Sequence, residues 1–182
     1  KGYQIALNKK ELQNTNPQQP ILGLFAEDAL PYSVDSKQDN EIQATTPTLA
    51  EMTTIALQNL KQNPNGFMLQ VEAGKVDWAA HANDISALIY DQLAFDDAIK
   101  VAIDFALNNE DTLVVITTDH GNSNPALNYG KKADEEFQKI SKFKHSNDWI
   151  LNGISPNFSK QQVINRIKEA TTIEITTDEA ED

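Results

Sequence analysis

The chain has 182 residues, a net charge of -12 at pH 7, a single Arg and no Cys. That length suits one domain with a real core. The negative charge and the near-absence of Arg argue against general DNA or RNA binding, because phosphates would be repelled. Without Cys there are no disulfides, thiolate metal sites or thiol nucleophiles, and no apolar run is long enough for a transmembrane helix.

In chain order, Gly2 to Leu7 reads as a short strand, and Asn8 is placed to cap a brief helix through Gln13. A polar linker, Asn14 to Pro20, leads to the continuous apolar run Ile21 to Ala26, which fits a strand buried on both faces. About twenty polar residues follow, holding Pro31 and ending near Pro47, and read as a loop. Thr46-Pro47-Thr48 opens a helix whose apolar positions Leu49, Met52, Ile55, Ala56 and Leu60 follow the 3.6 period, with Glu51 placed to complement the dipole. Asn63-Pro64-Asn65-Gly66 stops it, and residues 67–71 read as a strand. A long amphipathic helix is expected from Ile85 to Leu107, with an apolar stripe that includes Leu88, Leu93, Ala98 and Ile103. Asn108-Asn109 ends it ahead of a strand at 112–117. Such alternation of strands and helices predicts an α/β fold with a parallel sheet covered on both faces. Beyond Pro125 the character changes: residues 130–148 are polar and Lys-rich, Gln161 to Ala170 suggests a short helix, and Asp178 to Asp182 is an acidic tail.

The chemistry concentrates at two strand ends. The run Gly66-Phe67-Met68-Leu69-Gln70-Val71 leads into Glu72, then Asp77 and His81, and the run Thr112 to Thr118 leads into Asp119-His120. Ligands in an open parallel sheet bind beyond the carboxyl ends of its strands. Asp77 and His81, four residues apart, share a face if that stretch is helical. Mixed Asp/His sets suit Zn²⁺, and a Glu among oxygen donors suits Mg²⁺. Singly, each residue has a plain structural explanation: an Asp-His dipeptide can cap a helix, a lone His can sit on a helix face, and Glu72 can end a strand in water. Their joint placement favours a metal-assisted hydrolase. His145, in the polar Lys142-Phe143-Lys144-His145-Ser146 stretch, reads as a solvated surface residue, and Asp96-Asp97 as an exposed helix face.

These segments resemble the alkaline phosphatase family. The resemblance rests on Gly66 to Gly74, Asp77, His81 and Thr117-Thr118-Asp119-His120, with support from Leu22 to Ala26 and Pro47 to Thr53. It covers residues 1–124 as part of a three-layer α/β sandwich with a mostly parallel sheet. Residues 125–182 resemble the variable, crown-like subdomain inserted after Asp-His. The resemblance implies that Glu72 holds a Mg²⁺, Asp77 and His81 one Zn²⁺, and Asp119 and His120 a second. It also places Trp78 beside the substrate, at a position that varies within the family, and Asp-Trp suggests a bacterial branch.

The departures define the remaining expectations. The family nucleophile is a Ser in an Asp-Ser-Ala segment, whereas Asp35-Ser36-Lys37 sits in a polar loop and is not assigned that role. Arg166 and His145 lie outside the contexts of the family's phosphate clamp and late zinc ligand. The chain is therefore expected to be an internal piece of a phosphate monoesterase that works through a phosphoserine. On its own it should be inactive, with weakened metal binding. The resemblance implies a periplasmic or secreted enzyme acting on phosphate monoesters and leaves room for a homodimer. Rival readings are a phosphodiesterase, sulfatase or phosphomutase of the same superfamily, and a non-catalytic metal-binding module.

Overall fold

The structure is a computed structural model that describes residues 2–122 and 129–181. The elements in chain order are β1 (Gln4–Ala6), α1 (Lys9–Gln13), β2 (Ile21–Gly23), α2 (Ser33–Ser36), α3 (Asn40–Thr45), α4 (Leu49–Leu60), α5 (Gly74–His81), α6 (Ile85–Leu107), α7 (Ala133–Ile140), α8 (Asn147–Asn152) and α9 (Lys160–Thr171). They fall into two compact units. One holds residues 1–31, 39–74 and 92–121; the other holds 32–38, 75–91 and 122–182. The boundary expected at residues 124 and 125 lies outside the described residues.

The first unit is built on a β-α-β turn of chain. β1 and β2 pair in parallel, with Gln4 opposite Ile21 and Ala6 opposite Gly23, and α1 lies in the crossover that parallel pairing requires. α1 starts where Asn8 accepts a hydrogen bond from the Glu11 amide, as the sequence predicts. α4 opens with a full capping box, in which Thr48 accepts from the Glu51 amide while Glu51 accepts from the Thr48 amide. After α4 the chain turns through Asn63 to Gly66, where Gly66 takes a φ of +82° that a side chain would strain. Lys9 pairs with Glu51 at 2.7 Å, and the Asn59 amide donates to the carbonyls of Pro17 and Gln19, tying α4 to the crossover.

Two expected strands do not form. Residues 67–71 and 112–117 run without a ladder, and among the described residues β1 and β2 make the whole sheet. Met68 is 93% exposed and Leu113 is 85% exposed, so apolar side chains that read as two-sided core stand in solvent. An apolar run specifies burial, but a strand also needs a neighbour's N–H and C=O groups, which a chain segment cannot supply for itself. β2 is likewise confined to Ile21–Gly23, short of the Ile21 to Ala26 expected. Phe67 does find a partner, meeting Phe105 of α6 edge to face at 6.0 Å.

The second unit corrects the reading of residues 27–46 as a loop. Tyr32 and Val34 are buried with Ala79 and Ala87, flanked by Leu88 and Tyr90, and this anchors the short α2. α3, within the first unit, is started by Asp39, whose carboxylate accepts from the Glu41 and Ile42 amides. α6 matches the expected bounds, contributing residues 85–91 to the second unit and 92–107 to the first. Its Asp96-Asp97 pair is exposed as expected, but Leu93 and Ile103 of its stripe are exposed too. α9 is capped by Ser159 and Gln162 and ends on Thr172 in the left-handed region.

Candidate metal centre

Asp77 and His81 lie one turn apart on α5, and the helix brings His81 Nε2 to 3.5 Å from Asp77 Oδ1. Asn122 also engages that carboxylate, its side-chain amide donating to Asp77 Oδ1 at 2.8 Å. Within the first unit, Asp119 and His120 stand next to each other in irregular chain, with His120 Nε2 3.4 Å from Asp119 Oδ2. Asp119 Oδ1 accepts from the His120 amide at 2.9 Å, and Thr118 donates its hydroxyl to the His120 carbonyl at 2.9 Å. Glu72 follows the 67–71 segment, is exposed, and has Oε1 within ordinary contact distance of where a Cβ on Gly74 would stand.

Both pairs pass a test of donor type. Separations of 3.5 and 3.4 Å exceed the roughly 2.7–2.9 Å of a charge-assisted hydrogen bond. They are close to the roughly 3.4 Å edge of a tetrahedron whose N and O corners lie about 2.0–2.1 Å from a zinc ion. A carboxylate oxygen and an imidazole nitrogen are the donors such an ion takes. Each pair provides two of the four ligands, and among the described residues no group of three or more His, Cys, Asp or Glu is close enough to hold a metal. The chemistry of each pair suits zinc; the number of donors is half a shell.

Trp78 follows Asp77 on α5, about 100° round the helix from it, and is half exposed. The ammonium of Lys75 lies 4.4 Å from the Trp78 ring centroid and 4.1 Å from that of Tyr32. Neither Lys75 nor Asn122 has a signal in the sequence, because both act through space on neighbours whose roles must be known first.

His145 is the clearest correction. The sequence reading placed it on a solvated surface, but its side chain is only 13% exposed and its Nδ1 lies 3.1 Å from Asp35 Oδ1. Asp35 also accepts from the Ser146 amide at 2.9 Å and the Ser146 hydroxyl at 2.6 Å. The His145 ring stacks on Trp149 at 3.6 Å, and the guanidinium of Arg166 lies over the Trp149 ring at 3.7 Å. Arg166 donates to the carbonyls of Ile150 and Trp149, and a Cβ at Gly153 would collide with it. Arg166, Trp149, His145 and Asp35 thus form a continuous structural stack. The pattern missed it because Asp35 and His145 are 110 residues apart.

Two further aspartates are buried in the second unit. Asp84 accepts from the Ala87 and Asn147 amides, and Asp91 accepts from the amide and hydroxyl of Ser33. Burial raises the pKa of both above the ordinary carboxylate value, while these hydrogen bonds pull the other way. Burial also pushes Tyr32 up to about 12, with Asp148, Asp84, Asp91 and Asp35 adding to the effect. Ser36 donates its hydroxyl to the Tyr32 carbonyl at 3.1 Å. Asp35 and Ser36 are therefore both engaged in hydrogen bonds within the second unit.

The family model for alkaline phosphatase matches residues 1–178. Alkaline phosphatase 4 of Bacillus subtilis (strain 168) is 32% identical over 165 residues, covering 91% of this chain and 34% of that protein. Alkaline phosphatase 3 of the same organism is 39% identical over 119 residues, covering 65% of this chain and 24% of that protein. The crystal structure of Thermus thermophilus alkaline phosphatase superposes with a TM-score of 0.88 at 30% identity, over 99% of this chain and 38% of that one. The chain thus spans about a third or less of the curated relatives it matches. Its helices and small parallel sheet are part of that α/β architecture, and the chain belongs to the alkaline phosphatase family.

Proposed function

We propose that this chain supplies the metal-ligating part of a phosphate monoesterase, and that the observation carrying the reading is the tetrahedron-like donor separation in both Asp/His pairs. Asp77 and His81 would hold one zinc, Asp119 and His120 a second, and Glu72 a magnesium. Bound there, the ions would supply Lewis-acid stabilisation of phosphoryl and leaving-group oxygens. The chain's own residues do the positioning. α5 sets Asp77 and His81 one turn apart, and Asn122 fixes one oxygen of Asp77. Trp78, which follows Asp77 on α5, would lie near the approach of a monoester's leaving group.

In the whole enzyme we place the nucleophile on a serine other than Ser36, with a phosphoserine on the pathway. The chain by itself is inactive, since Asp35 and Ser36 are committed to structure. Residues 125–182 would be the crown-like insertion. The substrates are phosphate monoesters rather than nucleic acids, in keeping with the charge of -12, and the setting is periplasmic or extracellular. Among the described residues, no helix is long and apolar enough to cross a membrane.

Zinc titration by isothermal calorimetry tests the reading. The chain should bind zinc, and Asp77→Ala and Asp119→Ala should each weaken it. Affinity unchanged in both variants would sink the ligand assignment.

A further inference from the structure

Trp78 sits in an awkward place for a residue beside a binding site. It directly follows Asp77 on α5, about 100° round the helix, and half of its surface is open to solvent. An indole on a helix surface has several staggered rotamers available and little packing to choose among them. Lys75, one turn earlier, changes that. Its ammonium lies over the Trp78 ring at 4.4 Å and over the Tyr32 ring at 4.1 Å. Tyr32 is 5% exposed and belongs to the buried group with Val34, Ala79 and Ala87. The cation thus contacts both a buried ring and the half-exposed ring that needs holding. Asp91, buried in the same unit, lies near enough for its charge to be felt by Lys75.

We propose that Lys75 is the positioning residue for Trp78: it clamps the indole that follows Asp77 on α5 by a cation–π contact anchored on Tyr32. The functional part rests on the reading of Asp77 and His81 as a zinc pair. A pre-set indole would let a monoester's leaving group bind without first ordering that side chain, so the clamp would act on substrate affinity more than on the chemical step.

The test compares Lys75→Met and Lys75→Arg by acrylamide quenching of tryptophan fluorescence. The chain has two tryptophans, and Trp149, held between His145 and Arg166, serves as the internal reference. A Trp78→Phe background reads Trp149 alone and shows whether each variant keeps its fold. Trp78 quenching should rise about twofold in Lys75→Met and return in Lys75→Arg, because a guanidinium also stacks on indole. Equal Trp78 quenching in the parent and Lys75→Met, with Trp149 unchanged, overturns the clamp. So does an Arg variant as loose as the Met variant. Zinc calorimetry on the same proteins separates the two readings. If zinc does not bind any of them while quenching still follows Lys75, the metal reading falls and the clamp stands.

Discussion

The two Asp/His pairs proposed as ligands have the same composition and nearly the same donor separation, 3.5 and 3.4 Å, yet they differ in what holds them. Asp77 and His81 are spaced by a helix whose next residues, Ala79 and Ala80, are buried, and Asn122 secures the carboxylate. Asp119 and His120 stand at the end of a segment with no ladder, and their side chains are 85% and 55% exposed. A helix makes its own hydrogen bonds, so it can pre-arrange ligands within one compact unit. A strand end can do so only when the sheet around it is complete. The same ligand chemistry therefore comes with very different amounts of local support.

The largest effect should come from breaking the support of the second unit. Asp35→Ala leaves the Ser146 amide and hydroxyl and the His145 ring without their acceptor. We expect a loss of about 3–5 kcal/mol, read as a lower urea midpoint for this unit. Next comes Asp77→Ala, which should weaken zinc binding about 100-fold in calorimetry. Asp119→Ala should cost less, because that pair is held less firmly before any ion arrives. Equal losses for the two would erase the contrast between them. Asn122→Ala should weaken zinc about tenfold, since residues that orient a ligand usually count for that much.

Acidity sharpens the picture further. Asp84 and Asp91 keep their protons to higher pH when folded than when unfolded, so the folded state binds more protons. Their contribution favours the fold most below the ordinary value of 3.8 and declines as pH rises through the raised folded values. Melting temperature measured against pH should show this decline, and Asp84→Asn should flatten it. Tyr32 repeats the logic at the alkaline end: stability should fall between pH 10.0 and about 12, where the unfolded chain gives up a proton that the folded one keeps. The smallest effect should be Lys9→Ala, which removes a partly exposed ion pair in the first unit and should cost about 0.5 kcal/mol in chemical denaturation.

Much of the local geometry of the proposed site was readable from residue order alone. Asp77 and His81 four residues apart need only a helix to meet, and the helix start at Thr48 and the stop at Asn63 to Gly66 are local decisions. The bounds of α6, Ile85–Leu107, came from a periodicity long enough to outweigh any single residue. Contacts far apart in sequence were invisible. The polar run around His145 gave no hint that Asp35, 110 residues away, accepts from it, and that is why a buried histidine read as a surface one.

By itself, the sequence determined the residue types of the proposed ligands, their order and the helices that carry their own hydrogen bonds, because those depend on neighbours within a few positions. Tertiary structure alone decided three other things. Among the described residues it left 67–71 and 112–117 without ladder partners, since those come from elsewhere in space. It drew Asp35, Asp84, Asp91 and His145 largely out of water by giving the carboxylates donors and His145 the Asp35 carboxylate as acceptor, which offsets the cost of leaving water. And it set Lys75 between two aromatic rings from separate stretches of chain, because only the folded unit brings Tyr32 to α5.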